Sequence, residues 1–186
     1  MVRIIAGTAR GRKLETLEGL ETRPTLDRVK EALFGSIQFR IPYAEVLDMF
    51  AGSGSLGLEA ASRGAKRVVF NDKNPACVSI IKRNVETLGF SEIARVLNLD
   101  FTAAIDRLLK EGAAFDLAFL DPPYREGLSE HAVRQLFEKR LIRSGGHVIL
   151  EHAAEFSPQG LTGVYRINRT KRFGKCAYSL IEEDEA

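Results

Sequence analysis

Asp121-Pro122-Pro123-Tyr124 directly follows an apolar run, Phe115 to Leu120, and joins a carboxylate, two prolines and an aromatic ring. That set suits one demanding reaction, methylation of an exocyclic amino group on a base. The lone pair of such a nitrogen is drawn into the ring, so attack on a sulfonium methyl needs acceptors that orient its two N–H bonds. Asp121 offers a carboxylate oxygen, and Pro122, lacking an N–H, offers its carbonyl from a stiff loop. Tyr124 then stacks on the base face, a contact worth roughly 1–3 kcal/mol in base-binding sites. The transfer is in line and driven by proximity and developing-charge stabilisation, with no metal and no covalent intermediate required. Taken alone the tetrapeptide reads as a turn, since Asp and Pro are favoured there. Its meaning depends on a second motif upstream.

Asp48-Met49-Phe50-Ala51-Gly52-Ser53-Gly54-Ser55-Leu56-Gly57 holds a G-x-G-x-x-G between a short apolar run and a helical pattern. Glycines there permit a tight turn and let a ligand approach the backbone with no Cβ in the way. Nicotinamide dinucleotides and S-adenosylmethionine both bind at such a loop. Asp72, about 20 residues further on, accepts hydrogen bonds from the ribose hydroxyls of either ligand. Asp48 discriminates between them, because an anion at the strand exit opposes a pyrophosphate and suits the ammonium of a methionine moiety. Asp100 and Phe101 give an acceptor and an apolar wall for adenine, while Asp100 serves equally as the N-cap of the next helix. The expected cofactor-binding set is Asp48, Gly52, Gly54, Asp72, Asp100 and Phe101; the expected catalytic set is Asp121, Pro122 and Tyr124.

Two loops can share one crevice if both leave the carboxyl ends of parallel strands. Strand-like runs at residues 46–50, 67–71, 94–99, 115–120 and 147–151 alternate with helical patterns. The first of these helices ends at Gly64. The second opens at Asn74-Pro75 and carries the stripe Val78, Ile81, Val85 and Leu88 up to Gly89, and two more occupy 102–110 and 128–140. This alternation predicts an α/β fold, a mostly parallel, doubly wound sheet with helices on both faces; taken with the two loops, the expected fold is Rossmann-like, of the class I methyltransferase kind. Residues 164–168 and 177–181 read as strands with no helix between them, a C-terminal antiparallel hairpin. At the other end, residues 1–20 alternate loosely around Gly7 and Gly11 as a small β-ribbon. Thr25 is the expected N-cap of a helix that carries Leu26, Val29, Leu33 and Ile37 to about Phe39, before Pro42. The expected division is an appendage of ribbon and helix over 1–40 and a catalytic domain over 41–186.

The 186 residues, 45% of them hydrophobic, suffice for one well-buried α/β domain. With 27 basic against 25 acidic residues the net charge announces no nucleic-acid partner, so any electrostatic reading must be local. Arg3, Arg10, Arg12 and Lys13 precede any acid; Arg166, Arg169, Lys171, Arg172 and Lys175 form an acid-free stretch; Glu182, Glu183, Asp184 and Glu185 make an acidic tail. Cys77 and Cys176 give neither a disulfide framework nor zinc-ligand spacing, which fits a reducing cytoplasm, and Cys77 is expected to pack within its helix. His131, His147 and His152 lack ligand spacing and are read as structural or surface residues. No signal-peptide core or membrane-length apolar run is present, and a cytoplasmic monomer without membrane association is expected.

The chain resembles the RsmD family along nearly its whole length. The resemblance lies in Arg3-Ile4-Ile5-Ala6-Gly7 with Arg10-Gly11-Arg12-Lys13-Leu14, in Arg23-Pro24-Thr25 with Asp27-Arg28-Val29 and Leu33-Phe34, and in the glycine loop and Asp121 to Tyr124. The last two are shared with many amino-methyltransferases, whereas the N-terminal motifs point to this family. The resemblance implies transfer of a methyl from S-adenosylmethionine to N2 of a guanine in 16S ribosomal RNA, guanine 966 in the usual numbering, within an assembling small-subunit particle. Where the family usually has Glu, this chain has Asp72, whose shorter arm still reaches a ribose. Arg10, Arg12, Lys13, Arg23 and Arg28 are candidates for RNA phosphate contacts, the alternative being solvated charge with Arg28 paired to Asp27 or Glu31. Rival readings are methylation of adenine N6 in DNA or of a protein glutamine, for which Asn is commoner at position 121. A nicotinamide-dependent oxidoreductase leaves Asp121 to Tyr124 without a role, and the intact motifs count against a non-catalytic RNA-binding module.

Overall fold

The computed structural model describes residues 2–17, 25–122, 128–156, 158, 161 and 165–184. Five parallel strands, β1 (Glu45–Asp48), β2 (Arg67–Asn71), β3 (Ala94–Leu97), β4 (Phe115–Leu120) and β5 (Ile142–Ala153), continue into an antiparallel pair, β6 (Tyr165–Phe173) and β7 (Cys176–Glu183). Their order across the sheet is β3-β2-β1-β4-β5-β7-β6. The order reverses between β1 and β4, which makes the carboxyl ends of these two strands the place where a crevice opens.

Successive strand residues point to opposite faces. Val46, Val68, Phe70, Leu117, Phe119 and Ile149 therefore pack with α1 (Thr25–Ile37), α2 (Ser55–Ser62) and α3 (Pro75–Leu88). Leu47, Met49, Val69, Ala118, Leu120, Val148 and Leu150 pack on the other face with α4 (Phe101–Lys110) and α5 (Leu128–Glu138). The doubly wound sheet and its terminal hairpin are as the sequence predicts, but several boundaries move. α1 gives way at Gln38 to a 3-10 turn. α5 ends at Glu138, short of Arg140: Arg140 adopts φ +55°, and the N–H groups of Arg140 and Leu141 close onto the carbonyls of Phe137 and Leu136. β5 begins at Ile142, not His147, because the register jumps from Phe115↔Ile142 to Leu117↔His147, a bulge that interrupts the alternation.

The N-terminal ribbon consists of one antiparallel bridge, Arg3↔Lys13, flanked by hydrogen bonds from Ile4 N to Arg12 O and from Leu14 N to Val2 O. It buries Val2, Ile4, Ala9 and Leu14 in the same core as α1 and α2. Glu59 of α2 makes the attachment. Its fully buried carboxylate accepts from Ile5 N at 2.8 Å and Ala6 N at 3.0 Å, and pairs with Lys30 at 3.1 Å and Arg63 at 2.8 Å. Lys30 Nζ donates in turn to Arg3 O at 2.9 Å. Burial pushes the Lys30 ammonium below its usual pKa, and Glu59 pulls it back. Among the described residues no helix is long and apolar enough to cross a membrane.

Removing Glu59 leaves a buried lysine unpaired and two backbone N–H groups without acceptors. Glu59→Ala is therefore expected to cost about 3–5 kcal/mol of stability, read as a lowered urea midpoint. An unchanged midpoint would show that the ribbon docks by apolar contact alone.

Candidate active site

The loop after β1 is fixed by carboxylates on the strands beside it. Gly52 and Gly54 take φ of +56° and +79°, the left-handed region that a residue with a Cβ enters at a cost. Gly52 N donates to Asp72 Oδ2 at 2.8 Å, and Asp72 Oδ1 accepts from Asn74 N at 2.8 Å, so Asp72 ties this loop to the start of α3. Gly57 N donates to Asp48 Oδ2 at 2.9 Å. A Cβ at Gly57 would lie 2.3 Å from Phe70 Cε1, which shows how closely α2 is laid on β2.

Two connected hollows open beside this loop. The larger, about 510 Å³, lies over β2 and β3 and is lined by Phe50, Asn71, Asp72, Asp100, Phe101 and Pro122, among others. Phe101 stacks on Phe50 with ring centroids 5.7 Å apart, and the edge of His131 supports it at 6.0 Å. Asp100 caps α4 through bonds from Thr102 N and Ala103 N and also lines the hollow. Asn71 is buried; its amide donates to Met49 O and Leu99 O, and its Oδ1 has no partner among the described residues. The smaller hollow, about 220 Å³, is bordered by Asp48, Ser53, Glu151 and Tyr178 and by Val2, Thr16 and Lys30 from the N-terminal segment. Phe50, Gly52 and Asp121 belong to both.

Three carboxylates stand at adjacent strand ends on one face of the sheet. Asp48 shares the face of Val46, Asp121 that of Leu117 and Phe119, and Glu151 that of Ile149. Leu120 pairs with Leu150, so Asp121 and Glu151 stand level on strands roughly 4.8 Å apart. Burial, against the Gly57 hydrogen bond and with some help from Asp72, pushes the Asp48 carboxyl up to about 7. Asp121 opens onto the crevice, yet the dense surrounding protein strips its hydration; that loss, then the charges of Glu151 and Asp48, push it up to about 8. Glu151 accepts a hydrogen bond from the hydroxyl of Tyr178, its cross-strand neighbour. Burial raises the Glu151 carboxyl and this hydroxyl lowers it, while burial and Glu151 keep the phenol protonated.

Of the residues singled out in the sequence, Asp48, Gly52, Asp72, Asp100, Phe101, Asp121 and Pro122 meet at this crevice. Gly54 lies behind it, at the N-cap of α2. Pro123, Tyr124 and Arg23 fall outside the described residues. Arg10, Arg12 and Lys13 on the ribbon and Arg28 on α1 are exposed. The ribbon turn rests on Ser62, whose carbonyl accepts from Thr8 N and whose hydroxyl accepts from Ala9 N, and Arg12 donates to Thr87 O at 2.8 Å. These contacts place the turn at the far ends of α2 and α3, about 12 Å from Ser55 along α2. Asp27 pairs with Arg3 at 2.8 Å. Cys77 is buried in α3, and His152 bridges Ala153 O and Ser179 Oγ at 2.8 Å each. Sequence reasoning missed Phe50, Asn71, Glu151 and Tyr178. A carboxylate at the end of a strand-like run was the available signal for Glu151.

Parallel sheet, glycine loop and twin hollow at the switch point together define a Rossmann-like class I methyltransferase fold. A family described as "Conserved hypothetical protein 95" matches residues 2–182. The chain is 34% identical over 183 residues to the ribosomal RNA small subunit methyltransferase D of Escherichia coli K12, covering 98% of this chain and 90% of that one. It is 44% identical over 154 residues to the protein of the same name from Haemophilus influenzae, covering 81% and 78%. The chain belongs to this family, that of the RsmD methyltransferases. A solved Escherichia coli protein described as a methyltransferase superposes with a TM-score of 0.86 at 34% identity, over 100% of this chain and 99% of that one. A Thermus thermophilus 16S rRNA N2 G1207 methyltransferase, solved with AdoMet and guanosine, shares the fold with a TM-score of 0.68 at 23% identity, over 91% of this chain and 45% of that one.

The contact between Gly57 and Phe70 gives a direct check on this geometry. Gly57→Ala should lose about 1–3 kcal/mol to overpacking, more than the gain of up to about 1 kcal/mol from helix propensity. Adding Phe70→Leu should restore part of the melting temperature. A Gly57→Ala protein as stable as the parent would contradict the close approach of α2 to β2.

Proposed function

We propose that the chain transfers a methyl group from S-adenosylmethionine to the exocyclic N2 of a guanine in 16S ribosomal RNA, guanine 966 by family resemblance, in an assembling small-subunit particle in the cytoplasm. The observation that carries this reading is the position of Asp121, the one acidic side chain among the described residues that borders both hollows. When bound, S-adenosylmethionine supplies a methyl on a positively charged sulfur. The residues fit that ligand. The stacked rings of Phe50 and Phe101 give the adenine an apolar wall, and Asp72 and Asn71 Oδ1, which has no partner among the described residues, face its sugar side. Asp48 and the Gly52 loop receive the methionine end, where an ammonium answers a buried carboxylate.

The protein's own work is orientation. Asp121 and the Pro122 carbonyl accept the two N–H bonds of the amino group, turning its lone pair toward the methyl, and Tyr124 covers the base. The ionised Asp121 is the stronger acceptor and the form able to take a proton, so transfer strengthens as pH rises through its raised pKa. Residues 1–40 bring Val2, Thr16 and Lys30 to the crevice and present Arg10, Arg12, Lys13, Arg23 and Arg28 to RNA phosphates flanking the target. A protein-organised particle that already exposes the base spares the few kcal/mol of unstacking it.

Labelled methyl should pass from S-adenosylmethionine to small subunits from a strain lacking this protein. Nucleoside analysis should find N2-methylguanosine in 16S RNA, and Asp121→Ala should reduce the rate by about 100-fold or more. Label on DNA or protein but not on RNA would overturn the substrate assignment. Donor binding tests Asp48 separately. An ammonium favours the ionised carboxylate, so binding at neutral pH should release protons and tighten as pH rises through about 7. Calorimetry in two buffers of different ionisation enthalpy reads the release, and Asp48→Asn should reduce it, the remainder coming from Asp121; no loss of release in Asp48→Asn counts against this placement of the ammonium.

A further inference from the structure

We propose that Glu151, held by Tyr178, is a positioning residue that acts through Asp121, so that the two carboxylates work as a single proton acceptor for the nitrogen being methylated. The inference deepens the reading above and rests on it. Geometry comes first. Asp121 and Glu151 stand level at the ends of neighbouring strands, on the same face and on the same hollow. Glu151 is in turn fixed from the next strand by the Tyr178 hydroxyl, opposite it in the β5–β7 register. Structural duty alone does not call for this arrangement, because a half-buried carboxylate beside a second carboxylate weakens the fold unless a positive charge is to arrive.

That charge moves in the reaction. The nitrogen lone pair forms the new N–C bond as the C–S bond breaks with its electron pair left on sulfur, so a positive charge leaves the sulfur and arrives on the nitrogen. The nitrogen then sheds one N–H proton. Asp121, already in contact with that proton, takes it; the neighbouring anionic Glu151 raises the affinity with which Asp121 holds it, and water at the open side of the crevice removes it afterwards. The other groups around the pair are Asp48 on β1, Lys30 on α1, and Cys176 and Tyr178 on β7, with Asp72, Lys73 and Asp100 across the larger hollow. Of these, Lys30 is turned to Glu59 and the Arg3 carbonyl, which leaves Glu151 as the charge level with Asp121.

The test compares Glu151→Gln, which keeps shape and a hydrogen-bond acceptor, and Tyr178→Phe with the parent. Without donor, NMR titration of carbon-13-labelled aspartate carboxylates should show Asp121 above the usual carboxylate range in the parent and lower by about one pH unit in Glu151→Gln. In methyl transfer at saturating donor, kcat should fall by about tenfold and the acid limb of the pH profile should move to lower pH, with donor affinity within about twofold of the parent. Tyr178→Phe should move the limb in the same direction by less, and it decides the matter if Glu151→Gln does not fold. An Asp121 titration and an acid limb that both stay in place in a folded variant overturn the inference. A shifted titration in a protein that places no methyl on guanine N2 overturns the reaction assigned above and leaves the linkage of the two carboxylates standing.

Discussion

Two like charges at neighbouring-strand spacing repel by about 3–4 kcal/mol at an effective dielectric of about 20, and this fold sets three carboxylates on three adjacent strands. The order β1-β4-β5 and the period of two along each strand leave no other placement for Asp48, Asp121 and Glu151. Each is accommodated differently. Asp48 accepts from Gly57 N in the first turn of α2, where helix N–H groups favour an anion. Glu151 accepts from the Tyr178 phenol, and Asp121 keeps an open side toward water. The loop, the first turn of α2 and the β5–β7 register together hold these three carboxylates beside one another at the crevice.

A second buried carboxylate completes the enclosure from behind. Glu59 lies in α2, the helix that begins at the glycine loop, and it fastens the N-terminal segment through two backbone N–H groups and Lys30. The same segment sends Val2 and Thr16 to the rim of the smaller hollow, near Tyr178 and Glu151. Glu59 thus fixes one end of the segment that walls this hollow, and Asn84, paired with the Glu15 backbone, fixes the other. The apolar contacts of Val2, Ile4 and Leu14 add burial, but they carry no direction, whereas the hydrogen bonds to Ile5 and Ala6 fix where the ribbon lies.

What was legible in the sequence is what repeats or is chemically unusual. The strand-helix alternation, the glycine loop and the Asp-Pro-Pro-Tyr run placed β1 to β4 and seven crevice residues, because local pattern and tertiary role agree there. Glu151 was hidden because a single Glu at the end of an apolar run looks like the usual return to solvent; only the β4–β5 register sets it level with Asp121. Phe50 and Asn71 were hidden for a related reason, since each sits where an apolar or small polar residue needs no explanation until Phe101 and the Leu99 carbonyl come across to meet it. The start of β5 was lost in a bulge, and the end of α5 depends on Arg140 in a left-handed conformation that sequence preference assigns to glycine. The Lys30–Glu59 pair spans α1 and α2, and no spacing rule within one helix reveals it.

The charge pattern also bears on how an RNA substrate meets this surface. Under the function proposed above, a floor lined with carboxylates repels phosphates, so the base enters while its backbone stays outside. The basic residues are distributed accordingly: Arg10, Arg12 and Lys13 lie on the exposed ribbon, and the ribbon turn is about 12 Å along α2 from the crevice. A helix-length separation is on the order of the Debye length of about 8 Å at physiological salt, so screening weakens the neutralisation of the acidic floor by the basic tip. A net charge of +2 therefore understates what the surface offers an RNA. The fold anchors a basic ribbon to a helix that starts at the acidic site and ends away from it, which holds the two signs of charge apart.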